Sequence, residues 1–390
     1  MSNAAPDAKP VAHKPTVYRH FHRIAWLAVA LAFSVIVFGA FVRLSNAGLS
    51  CPDWPTCYGR ATWPQGVSDA ADHAASAIRP FETDKAWREQ IHRHAAAVLG
   101  TLALLLALLA ARRRRFGIAQ ILAAAALIAV GIPLYMRGMH EAAVACAVLG
   151  ELILLIAALR WSNDDLSRAA TFTLMTIVFQ ALLGMWTVTL LLKPIVVMGH
   201  LLGGMTTFSL LTWMAWRATD SPVRIAGANA MRWWLIGAVC VVAVQIGLGG
   251  WVSANYAALA CGNDFPTCVG QWMPPHDFRE GFVLWRGVGV DYEGGVLDGA
   301  SRIAIQLAHR TMAVVVFAYL LWMALKLIRT PGLWLTGVVL GLLVLAQVGL
   351  GIANVMLGLP LWTAVMHNGG AALLLFLLIG LLARLSRPKV

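Results

Sequence analysis

Long apolar runs separated by polar breaks occupy nearly the whole chain. Ten windows are about the length a helix needs to cross a bilayer: 24–44, 91–111, 117–136, 141–161, 171–192, 196–217, 232–254, 303–327, 333–355 and 361–384. None shows the strand-like alternation of a membrane β-barrel. The pattern predicts an all-α polytopic membrane protein of about ten transmembrane helices. Two of the breaks are long, roughly 45–90 and 258–301.

Composition agrees with that class. Of 390 residues, 59% are hydrophobic and 12% charged, more apolar surface than a soluble domain can cover. The net charge of +12 raises nucleic acid as a partner, but its distribution argues for membrane orientation. Basic residues cluster beside alternate helix ends, at Lys14, Arg19 and Arg23, at Arg112 to Arg115, at Arg217 and Arg224, at Lys326 and Arg329, and at Arg384, Arg387 and Lys389. Short basic loops stay cytoplasmic, so both termini are expected inside. Twelve of the 18 acidic residues fall in the two long breaks, which places those breaks outside. The first 22 residues lack an apolar core and read as a cytoplasmic tail, not a signal peptide.

The chain repeats itself. "GAFVRLSNAGLSC" at 39–51 aligns without a gap with "GGWVSANYAALAC" at 249–261, and Pro-Thr-Cys-x-Gly follows in both. "QALLGMW" at 180–186 echoes "QIGLGGW" at 245–251 and "QVGLGIA" at 347–353. His92 and His200 are 108 residues apart, and His309 and His367 are 58 apart. The first interval is longer by 50 residues, the length of a helical hairpin at about 116–165. The expected organisation is a tail over 1–23, a four-helix bundle over 24–217 carrying that inserted hairpin, a cytoplasmic linker over 218–231, and a second bundle over 232–390. The halves run in the same sense.

Four histidines sit early in helices that start outside: His92, His200, His309 and His367. Polar residues in membrane helices face the interior. Two histidines on facing helices of a bundle can hold a heme iron axially, which suggests one such site per half. Zinc lacks further ligands at suitable spacing. A di-iron carboxylate site would need two Glu-x-x-His units, and only "EQIH" at 89–92 is present. Its repeat partner reads Gln306-Leu307-Ala308-His309, so the acid Glu89 has become an amide. Residues three apart share a helix face, which puts Glu89 over the pocket of His92. Glu89 can exchange a proton and Gln306 cannot, so the first pocket is the candidate for chemistry and the second for electron transfer. The bland alternative is a Glu89 paired only with Arg88 or Arg93. Arg93 and Arg310 follow their histidines and could meet heme propionates or serve as interface anchors. Gly184, Gly249 and Gly351 would allow close approach of a helix or a flat porphyrin. Glu151 lies mid-membrane in the hairpin, a functional hypothesis by default.

Taken together, "RLSNAGLSCPDWPTCYG", "EQIHRHAAAVLG", "GMWTV…VVMGHLLGG", "LAHR" and "MHNGG" resemble the heme A synthase family. The resemblance covers nearly the whole chain apart from the tail and the hairpin, which departs from the family pattern. It implies an enzyme of the bacterial inner membrane, with heme sites near the periplasmic side, that oxidises a ring methyl of heme O to a formyl group for cytochrome oxidase. It implies a cofactor heme b on His309 and His367, substrate heme O on His92 and His200, and an essential Glu89. It also implies disulfides among the outer cysteines. Cys51 and Cys57 are spaced differently from Cys261 and Cys268, which suits two intraloop disulfides better than a metal knuckle. A structural staple and a redox role for Cys51–Cys57 both remain open. Beyond the bilayer and heme O, the pathway implies heme O synthase and cytochrome oxidase assembly factors as partners, and an electron donor or acceptor that the residues do not identify. Two readings from other classes compete: a diheme b-type electron-transfer cytochrome, and a heme transporter or chaperone.

Overall fold

The computed structural model describes residues 17–71 and 81–385. Lys14, Arg387 and Lys389 of the basic clusters, and residues 1–16 of the expected tail, lie outside the described residues. Among the described residues there are twelve helices: α1 (Phe21–Leu44), α2 (Val67–Ala71), α3 (Thr83–Ala111), α4 (Gly117–Met136), α5 (His140–Arg160), α6 (Ser167–Thr189), α7 (Pro194–Thr219), α8 (Ala228–Ala254), α9 (Phe278–Gly281), α10 (Gly299–Ile328), α11 (Trp334–Met356) and α12 (Leu361–Arg384). All but the short α2 and α9 are long and apolar enough to cross a membrane, and these ten coincide with the ten windows of the sequence. Among the described residues there is no β-strand, only three isolated bridges.

Small residues set the packing. On α1, Phe21, Ala25, Ala28, Val29 and Ala32 are buried at steps of three and four, one stripe of a helix. On α3 the same stripe is Leu99, Ala103, Leu106, Ala107 and Ala110. Lipid offers no hydrophobic drive between helices, so alanine stripes matter because they let backbones approach closely. The helices close two circuits. α1, α3, α6 and α7 pack each on the next around the first, and α8, α10, α11 and α12 around the second. α7 and α12 sit at the seam, where α7 touches α8 and α12, and α12 touches α1. The hairpin α4–α5 stands beside the first circuit, with α4 against α3 and α5 against α6. It has no counterpart beside the second.

The ends of several helices are locally encoded. Pro194 opens α7 at a position where its missing N–H costs nothing. The Asp298 carboxylate caps α10 by accepting the Ser301 N–H at 2.8 Å. At the disulfide-loop end of the seam Arg43 of α1 donates to the Tyr256 hydroxyl at 3.0 Å and to the Ser253 carbonyl at 2.8 Å, tying the first circuit to the end of α8. The long segment between α8 and α10 also reaches across. Its buried Tyr292 packs with Leu49, Val188 and Leu192, and its Tyr292 N–H donates to the Leu191 carbonyl at 3.1 Å. That segment therefore covers part of the first circuit as well as its own, because the α6–α7 turn presents an apolar patch that Tyr292 fills.

Candidate functional site

Each of the four histidines meets a glycine on the membrane helix that precedes its own in its circuit. A methyl group added to Gly39 would stand 2.7 Å from Cε1 of His92. The corresponding distances are 3.1 Å from Gly184 to His200, 3.2 Å from Gly249 to His309 and 3.2 Å from Gly351 to His367. Any side chain at these positions would push on the ring. Three of the histidines are also held by a glutamine one turn before the glycine. Gln180 Nε2 lies 3.0 Å from His200 Nδ1, Gln245 Nε2 lies 3.2 Å from His309 Nδ1, and Gln347 Nε2 donates to the His367 carbonyl at 2.8 Å. The equivalent residue for His92 is Val35, and His92 Nδ1 is buried without a partner. His367 shares that feature, because Gln347 reaches only its backbone carbonyl, so one histidine of each pair has a ring nitrogen without a partner.

All four histidines line one cavity of about 1930 Å³ whose walls are mostly apolar. His92 of α3 and His200 of α7 are close enough to interact electrostatically, and so are His309 of α10 and His367 of α12. The second and fourth helices of each circuit thus supply a pair.

Beside the first pair lies Glu89, buried at 5% exposure. Its Oε2 accepts the Cys51 N–H at 2.8 Å and the Ser50 hydroxyl at 3.1 Å, and its Oε1 accepts from Arg93 at 2.6 Å. Arg93 then reaches into the loop that follows α1, donating to the carbonyls of Cys51, Asp53 and Thr56 at 2.7–2.9 Å. A buried, charge-assisted cluster of this kind fixes both its carboxylate and the loop above it. The loop is closed by the Cys51–Cys57 disulfide. Within it, Asp53 accepts from the Thr56 hydroxyl and from the Tyr58 and Gly59 N–H groups at 2.5–2.8 Å. Burial works to raise the Asp53 carboxyl pKa, but those bonds to Thr56, Gly59 and Tyr58 outweigh it and hold the pKa below the ordinary carboxylate value.

The second pair has the same scaffold with different chemistry. Cys261–Cys268 closes its loop, and Asp264 accepts from Thr267 and Gly270. The Gly270 N–H and the Thr267 hydroxyl depress the Asp264 pKa. Arg310 donates to the Thr267 and Asp264 carbonyls at 2.8 and 3.0 Å. Gln306 stands where Glu89 does, and its Nε2 donates to the Ala258 carbonyl at 3.1 Å.

Comparison with known proteins resolves the family. The profile of the COX15-CtaA cytochrome oxidase assembly proteins matches residues 22–139 and 139–379. The chain belongs to that family. It is 36% identical over 369 residues to a protein named heme A synthase from Shewanella oneidensis, covering 92% of this chain and 95% of that one. Proteins of the same name from Beijerinckia indica and from a Caulobacter species match about half of the chain, at 30% over 200 residues and 31% over 219. This COX15-CtaA family member is a multi-pass membrane enzyme of the oxidoreductase class.

The geometry gathers His92, His200, Glu89, Arg93 and the Cys51–Cys57 loop at one end of the first circuit. It gathers His309, His367, Gln306, Arg310 and the Cys261–Cys268 loop in the second. The two arginines hold the disulfide loops through their terminal NH₂ groups, a use that spacing alone did not suggest. Two positions the sequence reading passed over are Gly39 and Val35. Both were available from the ungapped repeat, where they align with Gly249 and Gln245. A third is Gln90, whose Nε2 donates to the Ala61 carbonyl at 2.8 Å. Nothing local marks it, because its acceptor is folded back from a distant part of the loop. The hairpin also enters the site, since α4 and α5 both line the cavity.

Proposed function

We propose that this chain is a heme A synthase, converting heme O to heme A in the bacterial cytoplasmic membrane. The observation that carries the reading is the single acid between two otherwise matching histidine pairs: Glu89 beside His92 and His200, Gln306 beside His309. The name of a relative that matches across nearly the whole chain supports it.

The residues fit hemes in both pockets. Each offers two facing imidazoles seated against bare glycine backbone, apolar walls, and a buried histidine Nδ1 without a partner, on His92 in one and His367 in the other. His92 and His200 would hold the substrate heme O. His309 and His367 would hold a b-type heme, which supplies one-electron transfer when bound. Both sites belong near the periplasmic face in this reading.

Each of two stages removes two electrons and two protons from the substrate methyl and adds the oxygen of one water, giving an alcohol and then a hydrated aldehyde that releases water to leave the formyl group. The four electrons leave to an external electron acceptor, and the protons are released at each stage. Glu89 is the ionisable group placed to accept one, and Arg93, Ser50 and the Cys51 N–H hold its two oxygens in position. The disulfide loop tied to the same carboxylate roofs the pocket. General-base assistance of this kind contributes roughly two to four orders of magnitude in rate.

Glu89→Gln tests the role. The second pocket keeps its loop closed with Gln306 at that position, so the amide is structurally tolerable. The variant should retain its hemes by absorbance while heme A formation falls about 100-fold or more. Undiminished conversion would remove Glu89 from the mechanism.

A further inference from the structure

The cavity at the first histidine pair continues between α3, α6 and the hairpin. From α4 and α5 it is walled by Ile128, Ile132, Val144, Ala147 and Leu155. Tyr135 and His140 stand at the outer end of the hairpin. Below them Glu151 is the one carboxylate that the hairpin offers to the cavity. Its Oε1 is buried and has no hydrogen-bond partner. A buried oxygen left without a partner is unfavourable, so the site calls for a donor brought by a ligand. The second circuit packs α10 directly on α11 with no hairpin beside them. The extra wall therefore belongs to the first pocket alone.

We propose that α4 and α5 form a channel for the isoprenoid tail of the substrate porphyrin, and that Glu151 binds the hydroxyl carried by that tail. The proposal rests on the heme A synthase reading and names how its site selects substrate. Three properties define the occupant. It must be continuous with a ligand of His92 and His200, because the cavity is. It must be mainly hydrocarbon, because the walls are. It must bring a hydrogen-bond donor to a carboxyl oxygen inside the membrane. A lipid acyl chain meets the second condition alone. The hydroxylated farnesyl chain of heme O meets all three. Close packing of the chain against these walls, which a heme without a tail leaves unfilled, is what separates the two hemes.

The test compares loading of heme O and of heme b into the purified full chain, followed by absorbance titration and identification of the extracted pigment. Glu151→Leu removes the acceptor, and Ala147→Trp fills the channel. Glu151→Leu should weaken heme O by about tenfold, the size of one good hydrogen bond, and leave heme b unchanged. Ala147→Trp should weaken heme O further, again sparing heme b. Retention of the second-pocket heme reports that each variant is folded. If both variants weaken the two hemes equally, or neither variant changes heme O, the channel is wrong. Its failure is separable from failure of the parent reading. Heme A formed by the wild type with both variants unaffected sinks only the channel. Tail-selective loss in a protein that forms no heme A sinks only the synthase.

Discussion

Gly39, Gly184, Gly249 and Gly351 each face the Cε1 carbon of a histidine that belongs to another helix. Sterics at this contact make a sharp test within one helix. Gly351→Ala puts a methyl 3.2 Å from His367, whereas nothing lies within 4 Å of a methyl on Gly349. Overpacking of this kind costs about 1–3 kcal/mol, so Gly351→Ala should weaken heme retention in the second pocket roughly tenfold or more. Gly349→Ala should leave it unchanged, and heme absorbance per chain reads both. Equal occupancy in the two variants would show that the ring does not need the glycine. Much at this scale was legible in advance. The histidines and the Glu89/Gln306 difference stand out because apolar helices make any polar residue conspicuous. The partners of Glu89 were not legible, because Ser50, Cys51 and Arg93 converge only once the outer loop folds down onto α3.

The two disulfide loops are alike as elements. In each an aspartate four positions before the second cysteine gathers the turn, and an arginine about three turns into the following membrane helix holds the loop carbonyls. Asp53 and Asp264 both have depressed pKa values, so their contribution to loop order is complete above the ordinary value of 3.8. It is lost as pH falls through the depressed folded value. Hydrogen exchange over residues 51–60 and 264–271 should therefore stay slow from neutral pH down to that ordinary value and quicken only below it. Loss of protection well above it would mean that the carboxylates do not hold the turns. The cysteines divide the two roles left open by the sequence: equal activity losses in Cys51→Ala and Cys261→Ala favour a staple in both, and a larger loss in the first favours thiol chemistry beside Glu89. The helices themselves were readable from apolar run length. The contact of the hairpin with the cavity was not, since an all-apolar helix does not declare which face it turns inward.

At the scale of the molecule, two helix circuits share a seam at α7 and α12 and a cross-tie at Arg43. The cross-tie spans α1 and α8, which no local pattern could join. Arg43→Met removes two charge-assisted bonds and should lower stability by about 1.5–3 kcal/mol for each bond that is left unreplaced. The heat-induced loss of heme absorbance should move to lower temperature without a change in the heme spectrum at rest. An unaltered transition would show that helix packing alone joins the circuits. The central claim concerns what the paired pockets do together: one holds a heme that stays, the other a heme that is changed. The most direct measurement is to supply heme O to the purified protein under turnover, extract the pigment, and identify each heme by chromatography and mass. The account predicts heme b together with heme O, its alcohol and accumulating heme A. Heme b alone in both pockets, with heme O recovered unaltered, would contradict it.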